Sequence, residues 1–243
     1  MFLSEPSRSQ YDVNFRFLGF PVRISPYFWL IVLLMGASAR SAQALLLWGI
    51  AVFVGILVHE LGHALALRRY GFTPEIILYG GGGLTTFNAH LISNRVFLTR
   101  WDSIFISAAG PLAGFLLFGA LCLFLQLVGI NPFNFLWGQA TSEDVSILRV
   151  FSAPFVNLLR MEMYICFFWG IINLMPVFPL DGGQIARELF LLKNSRTGIE
   201  QSLKLSFLTA VGLAIAAVLY DELFLGVFFA FFAYNSWLMM NRW

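Results

Sequence analysis

The stretch that decides the fold is residues 43–67, QALLLWGIAVFVGILVHELGHALAL. It is apolar almost throughout and has about the length of a helix that spans the hydrocarbon core of a bilayer. His59, Glu60 and His63 are its only ionisable side chains. Because such groups are costly to place in hydrocarbon, we expect them to face protein or a water-filled cavity and to serve a function.

The spacing of HELGH within this helix predicts a metal site. At about 3.6 residues per turn, His59 and His63 lie one turn apart on the same face, where both imidazoles can reach one ion. Glu60 lies beside them and can act on a water molecule rather than on the metal. HExxH on a helix is typical of zinc hydrolases. We therefore predict one Zn²⁺ per chain and a catalytic role for Glu60.

The composition predicts an integral membrane protein. Hydrophobic residues make up 59% of the 243 residues and charged residues only 12%, whereas soluble domains have about 25% charged residues. The basic residues are scattered, without the stripe of positive charge that marks a nucleic-acid surface, so no nucleic-acid partner is expected. Cys122 and Cys166 lie in apolar runs and are expected to be small buried hydrophobes rather than a disulfide or metal ligands.

The hydropathy predicts an all-α membrane protein with about six transmembrane helices, preceded by a short cytosolic lead. The predicted spans are residues 25–39, 43–67, 104–129, 155–174, 203–220 and 222–238. With six spans, most of the 15 Lys and Arg residues fall on one side, which predicts that both termini are cytosolic. The expected location is the cell membrane, with the active site toward the cytosolic side.

The segment between the second and third predicted spans is not helical. Two short runs rich in β-favouring residues, EIILY and LTTF, flank the glycines Gly80–Gly83. They predict a small β-hairpin or re-entrant loop at the membrane edge, with a solvated cytosolic loop as the alternative. His90, farther along this segment, is expected to be a solvated loop histidine rather than a ligand.

A second motif, NLMPVFPLDGG at residues 173–183, closes the fourth predicted span. Pro176 and Pro179 should end or unwind the helix, and by itself Asp181 would be interpreted as a turn residue. The second and fourth spans run in the same direction, which places Asp181 and His59 at the same membrane level. A catalytic zinc takes three protein ligands, and His59, His63 and Asp181 supply that number.

Together the two motifs resemble the site-2 protease family of intramembrane zinc metalloproteases, peptidase family M50. The resemblance implies that the two histidines and Asp181 bind zinc and that Glu60 activates water. It also implies that Asn173 and Pro176 face the substrate, and the glycine-rich hairpin, with Gly81 and Gly82, looks like a family element to which we assign substrate binding. The implied function is regulated intramembrane proteolysis of membrane-protein substrates that carry a transmembrane helix.

Members of that family often carry PDZ or CBS domains, but spans and short loops use the whole of this sequence. A single polytopic domain, residues 1–243, is therefore expected. The alternatives are another membrane zinc endopeptidase of the prenyl-protein type, and a catalytically silent membrane binding protein. A transporter is disfavoured because the last two spans have no charged residue in their interiors.

Overall fold

The structure is a computed structural model that describes residues 7–87, 98–139 and 141–241. Helices dominate this described part of the chain, and its four short strands lie between residues 13 and 87. In chain order the elements are β1 (Val13–Phe17), β2 (Phe20–Ile24), α1 (Pro26–Met35), α2 (Ala42–Arg69), β3 (Pro74–Tyr79), β4 (Gly82–Phe87), α3 (Arg100–Leu127), α4 (Pro132–Leu136), α5 (Ser142–Leu148), α6 (Ala153–Leu174), α7 (Asp181–Lys193), α8 (Gly198–Leu219) and α9 (Leu223–Met240).

The strands form one sheet in the order β1-β2-β3-β4. β1 and β2 are antiparallel, β2 and β3 are parallel, and β3 and β4 are antiparallel, with Ile76 opposite Thr85. Alternate residues of β3, Ile76 and Leu78, are fully buried in a core that includes α2 residues such as Ala51 and Ala64. One face of the sheet therefore packs on the helix that carries HELGH.

The sheet corrects the interpretation of the N-terminal segment. Residues 13–24 form β1 and β2 rather than a plain lead into the first span. The strands that follow α2 are likewise half of a four-stranded sheet rather than a separate hairpin. Their predicted association with the membrane stays a prediction.

Five of the described helices are long and apolar enough to cross a membrane: α2, α3, α6, α8 and α9. The helix at the first predicted span, α1, has only 10 residues, or about 15 Å at 1.5 Å per residue. A bilayer core is about 30 Å thick. Six full spans are therefore not confirmed, but the length and composition of the five helices are those of a multi-pass membrane protein.

The residue that follows α1, Gly36, lies close to side chains of α2. A side-chain carbon at Gly36 would lie 2.5 Å from Trp48 Cδ1, and Trp48 Nε1 donates a hydrogen bond of 3.1 Å to the Val32 carbonyl. α2 then begins where the Ser41 hydroxyl accepts a hydrogen bond from the Ala44 amide, a common N-cap arrangement.

The chain divides into two compact units. The first comprises Met1–Asn94 and Leu112–Gly170, and the second Arg95–Pro111 and Ile171–Trp243. The core of the second unit includes Val177 from the loop before α7, Ala210 from α8, and Phe229 and Phe232 from α9. The assignment of the whole chain to one protease domain stays a prediction.

Candidate metal centre

His59 and His63 are held on the buried face of α2. They are 3% and 9% exposed, and Glu60 between them is 5% exposed. The two Nε2 atoms lie 3.2 Å apart. Two nitrogens that bind one tetrahedral zinc at about 2.0–2.1 Å are expected to lie about 3.3 Å apart. The histidine pair is thus already spaced as two ligands of a single ion.

Asp181 is the first residue of α7 and is 7% exposed. Gly182 and Gly183, which follow it, are buried in the same helix, so Asp181 begins a helix and is not the turn residue that its motif alone would predict. A side-chain carbon at Gly182 would overlap the Leu174 carbonyl, and one at Gly183 would lie 2.5 Å from the Phe178 nitrogen. Close packing of the loop against the first turn of α7 therefore requires glycine at both positions.

Two buried serines, neither of them predicted as a site residue, hold this loop. The Phe178 amide donates a hydrogen bond of 2.8 Å to Ser206 Oγ, and Ser206 and Ser236 are hydrogen-bonded to each other at 2.8 Å. Both serines are almost fully buried, on α8 and α9. The available signal was a serine hydroxyl within each of two helices that are long and apolar enough to cross a membrane.

The three side chains predicted as ligands lie together. One ligand atom each from His59, His63 and Asp181 falls within 4.8 Å of the other two, and all three residues are buried. Two imidazole nitrogens and one carboxylate oxygen are a donor set that Zn²⁺ commonly takes in catalytic sites, with a fourth position left open. The residues present therefore fit a catalytic metal.

Glu60 is held by strand β4. Thr85 Oγ1 donates a hydrogen bond of 2.7 Å to Glu60 Oε2 and lies 3.1 Å from the Glu60 main-chain oxygen. A side-chain carbon at Gly83 would overlap the Glu60 side chain, with Oε1 as its nearest atom. Neither Thr85 nor Gly83 was predicted as a site residue. The sequence shows the run of four glycines, but which of them contacts Glu60 is determined by the register of β4.

The remaining predicted residues are placed as follows. Gly82 begins β4 with φ of +108°, a conformation that favours glycine, and a side-chain carbon there would lie 3.4 Å from the Trp169 ring. Gly81 is exposed in the turn, Asn173 is buried near the end of α6, and Pro176 is half-buried in the loop after it. His90 lies outside the described residues.

Two aromatic side chains, Trp169 and Tyr79, lie near His59 and Glu60 of α2. The rings of His59 and Trp169 meet edge to face, with centroids 6.4 Å apart. Burial raises the pKa of Tyr79 above its usual value, and the negative charge of Glu60 raises it further. The Tyr79 phenol therefore stays protonated at neutral pH.

Both cysteines are free thiols, and of the two only Cys166 is buried as predicted, whereas Cys122 is half-buried. Cys166 is buried, and its thiol donates a hydrogen bond of 3.4 Å to Glu162 Oε1. Neither cysteine belongs to the cluster of His59, His63 and Asp181.

Comparison with known proteins gives a consistent result. The model of the family described as Peptidase family M50 matches residues 48–219. The chain is 25% identical over 218 residues to the zinc metalloprotease MJ0392 of Methanocaldococcus jannaschii, covering 88% of this chain and 54% of that protein. The chain spans about half the length of the curated relatives it matches.

A solved structure shares the fold. The site-2 protease from Methanocaldococcus jannaschii superposes with a TM-score of 0.59 at 22% sequence identity, and the match covers 95% of each chain. At this level of identity the likeness shows a common fold.

Proposed function

The chain belongs to peptidase family M50, and we propose that it is an intramembrane zinc metalloprotease that hydrolyses peptide bonds in or near transmembrane segments of membrane proteins. The observation that carries the proposal is the buried cluster of His59, His63 and Asp181, with Glu60 beside it on a helix long and apolar enough to cross a membrane. A hydrolytic site at that depth has membrane-embedded peptide bonds within its reach.

His59, His63 and Asp181 are the proposed ligands of one zinc ion. Their three donor atoms leave room for a water molecule or a substrate oxygen, as catalytic zinc sites do. When bound, zinc supplies Lewis acidity, which polarises the scissile carbonyl and makes a nearby water more acidic.

Glu60 is the proposed general base. Its position next to His59 keeps it beside the ligand cluster, and its burial limits the access of bulk water. The carboxylate accepts a proton from the attacking water, and the same group then donates that proton to the nitrogen of the leaving amine. Glu60 ends the reaction ionised, ready for another cycle.

The substrate is proposed to bind as an extended strand beside β4. A helical segment hides its peptide bonds, so it must unwind before attack, and the free peptide groups then need new hydrogen-bond partners. Among the described strands β4 lies at one edge of the sheet, and edge strands can accept an added strand. Gly81 and Gly82 at the start of β4, with Asn173 and Pro176, are the proposed substrate contacts.

The cytosolic side is the proposed side of the sheet and of the active site. β2 precedes α1, β3 follows α2, and the two strands are parallel neighbours. The chain therefore leaves the sheet through α1, short as that helix is, and returns to the same sheet through α2. The helices α3, α6, α8 and α9 add an even number of crossings, which supports two cytosolic termini together with the distribution of Lys and Arg.

A cleavage assay after metal removal tests the function. The chain is purified, reconstituted in lipid vesicles and mixed with candidate membrane-protein substrates, each with one transmembrane helix. Cleavage is expected to stop after chelation and to return when Zn²⁺ is added back but not when Mg²⁺ is added, because an N₂O donor set suits zinc and not magnesium. Cleavage that persists in the fully chelated protein would contradict the proposal.

Proline at Gly81 and Gly82 tests the substrate strand. Proline fixes φ near about −65° and removes an amide hydrogen, whereas Gly82 has φ of +108° and pairs with Tyr79. Cleavage of a transmembrane substrate is expected to fall at least about tenfold, with zinc binding within about twofold of wild type. Gly138→Pro strains a comparable turn, with φ of +70°, and is the control. Equal loss of zinc and cleavage would count against a substrate-binding role.

A further inference from the structure

Thr85 lies where it can fix the orientation of the proposed base. Its hydroxyl has one hydrogen to donate, and two Glu60 oxygens lie within range: Oε2 at 2.7 Å and the main-chain oxygen at 3.1 Å. Hydrogen bonds to ionised groups are shorter and stronger than those to neutral groups. The hydroxyl therefore donates to the carboxylate oxygen Oε2.

The second carboxylate oxygen faces a position without a side chain. Oε1 is the atom that a side-chain carbon at Gly83 would meet first, and any such carbon would overlap the Glu60 side chain. Gly83 and Thr85 are two residues apart on β4, so both lie on the face of the strand that meets α2. Thr85 therefore donates to one oxygen of Glu60, while the absence of a side chain at Gly83 gives the rest of the carboxylate group room to pack against β4.

We propose that Thr85 is a positioning residue, which holds Oε2 so that Oε1 is the oxygen that takes the proton from water. The inference rests on the proposed function and assigns the proton transfer from water to one atom, Glu60 Oε1. A glutamate side chain has three rotatable bonds, and a general base must come within about 2.6–3.2 Å of its proton donor. A hydrogen bond from a strand packed on α2 removes much of that freedom before substrate arrives.

The test compares valine and serine at position 85. Valine has nearly the shape of threonine but donates no hydrogen bond, and serine keeps the hydroxyl. In the vesicle assay, Thr85→Val is expected to lower kcat by about ten- to a hundredfold, the range for losing a hydrogen bond to a charged group. KM and zinc content should stay within about twofold of wild type. Thr85→Ser should recover most of the lost kcat.

Thr209→Val is the matched control, because Thr209 is a half-buried threonine on α8 outside the proposed machinery, and it should keep wild-type kcat. The proposal would be overturned by a Thr85→Val kcat within about twofold of wild type. It would also be overturned if serine were as slow as valine, or if zinc content fell in parallel with kcat.

Thermal unfolding tests the contact without any need for activity. Thr85→Val should lower the Tm of the otherwise unchanged chain more than it lowers the Tm of the Glu60→Ala variant, because the latter has lost the carboxylate acceptor Oε2 and keeps only the neutral main-chain oxygen at 3.1 Å. Equal Tm shifts in the two backgrounds would contradict a stabilising hydrogen bond between Thr85 and the Glu60 carboxylate.

Failure of the proposed function gives a different pattern: wild type would cleave no faster than Glu60→Ala, although the difference between the Tm shifts remained. That result would contradict both the proposed protease activity and the catalytic role of Thr85. Loss of the Tm difference in an active protease would contradict the role of Thr85 alone.

Discussion

Glu60→Gln is expected to slow substrate cleavage by about 10²- to 10⁴-fold while zinc stays bound, the range for loss of a general acid–base group. Glutamine keeps the size of the side chain and can still accept the hydrogen bond from Thr85 through its amide oxygen. It cannot take a proton from water at neutral pH. Because Glu60 is not one of the three proposed ligands, zinc affinity should change little.

The measurement is the single-turnover cleavage rate in lipid vesicles, with zinc content determined on the same samples. Glu162→Gln is the matched control. Glu162 is also a buried glutamate of a membrane helix, and its hydrogen-bond donor is Cys166, which a glutamine oxygen can keep. Cleavage by zinc-loaded Glu60→Gln at the wild-type rate would contradict the proposed role of the glutamate.

The features that the sequence predicted best are those determined by residues close together in the chain. The apolar run of residues 43–67 predicts a helix on its own, and α2 extends over Ala42–Arg69. The spacing of His59 and His63 places both on one face of that helix because the helical period is fixed. The predicted membrane class and family are confirmed, and both depend on composition and on these short motifs.

The sheet shows what local information cannot supply. β1 and β2 are five residues each, and β2 finds its parallel partner β3 across the whole of α1 and α2. Pairing at such a distance leaves no pattern in either segment, and β1 is mostly exposed, so it has no clear alternation of buried residues. The contact of Thr85 with Glu60 depends on the register of β4 with β3 and on the packing of β4 against α2, and neither can be read from the two short segments alone.

The loop before α7 shows a second limit. The run PLDGG at residues 179–183 predicts a turn from propensity alone. In the structure the same glycines are buried, because the carbonyls of Leu174, at the end of α6, and of Val177, in the loop, approach the first turn of α7. Glycine serves close packing here, and the sequence cannot distinguish that use from flexibility.

Asp181→Asn is expected to weaken zinc binding by more than the roughly 10- to 100-fold that loss of an outer-shell partner causes. The substitution preserves size but replaces a charged ligand with a neutral amide, and only two histidines then remain as strong ligands. Asp181 also lies in the first turn of α7, where a negative charge stabilises a helix by about 0.3–1 kcal/mol. Stability of the metal-free protein should therefore fall only slightly.

Asp221→Asn provides the matched control. Asp221 is exposed in the turn between α8 and α9 with φ of +60°, a conformation that asparagine adopts readily. Zinc affinity is measured by competition with a chelator, and unfolding is followed on the metal-free chains. If Asp181→Asn bound zinc as tightly as Asp221→Asn, the aspartate would be a helix-start residue only. Zinc would then need another third ligand. A large loss of affinity with little loss of stability would instead show that the carboxylate binds the metal, because a purely structural role predicts the opposite ratio.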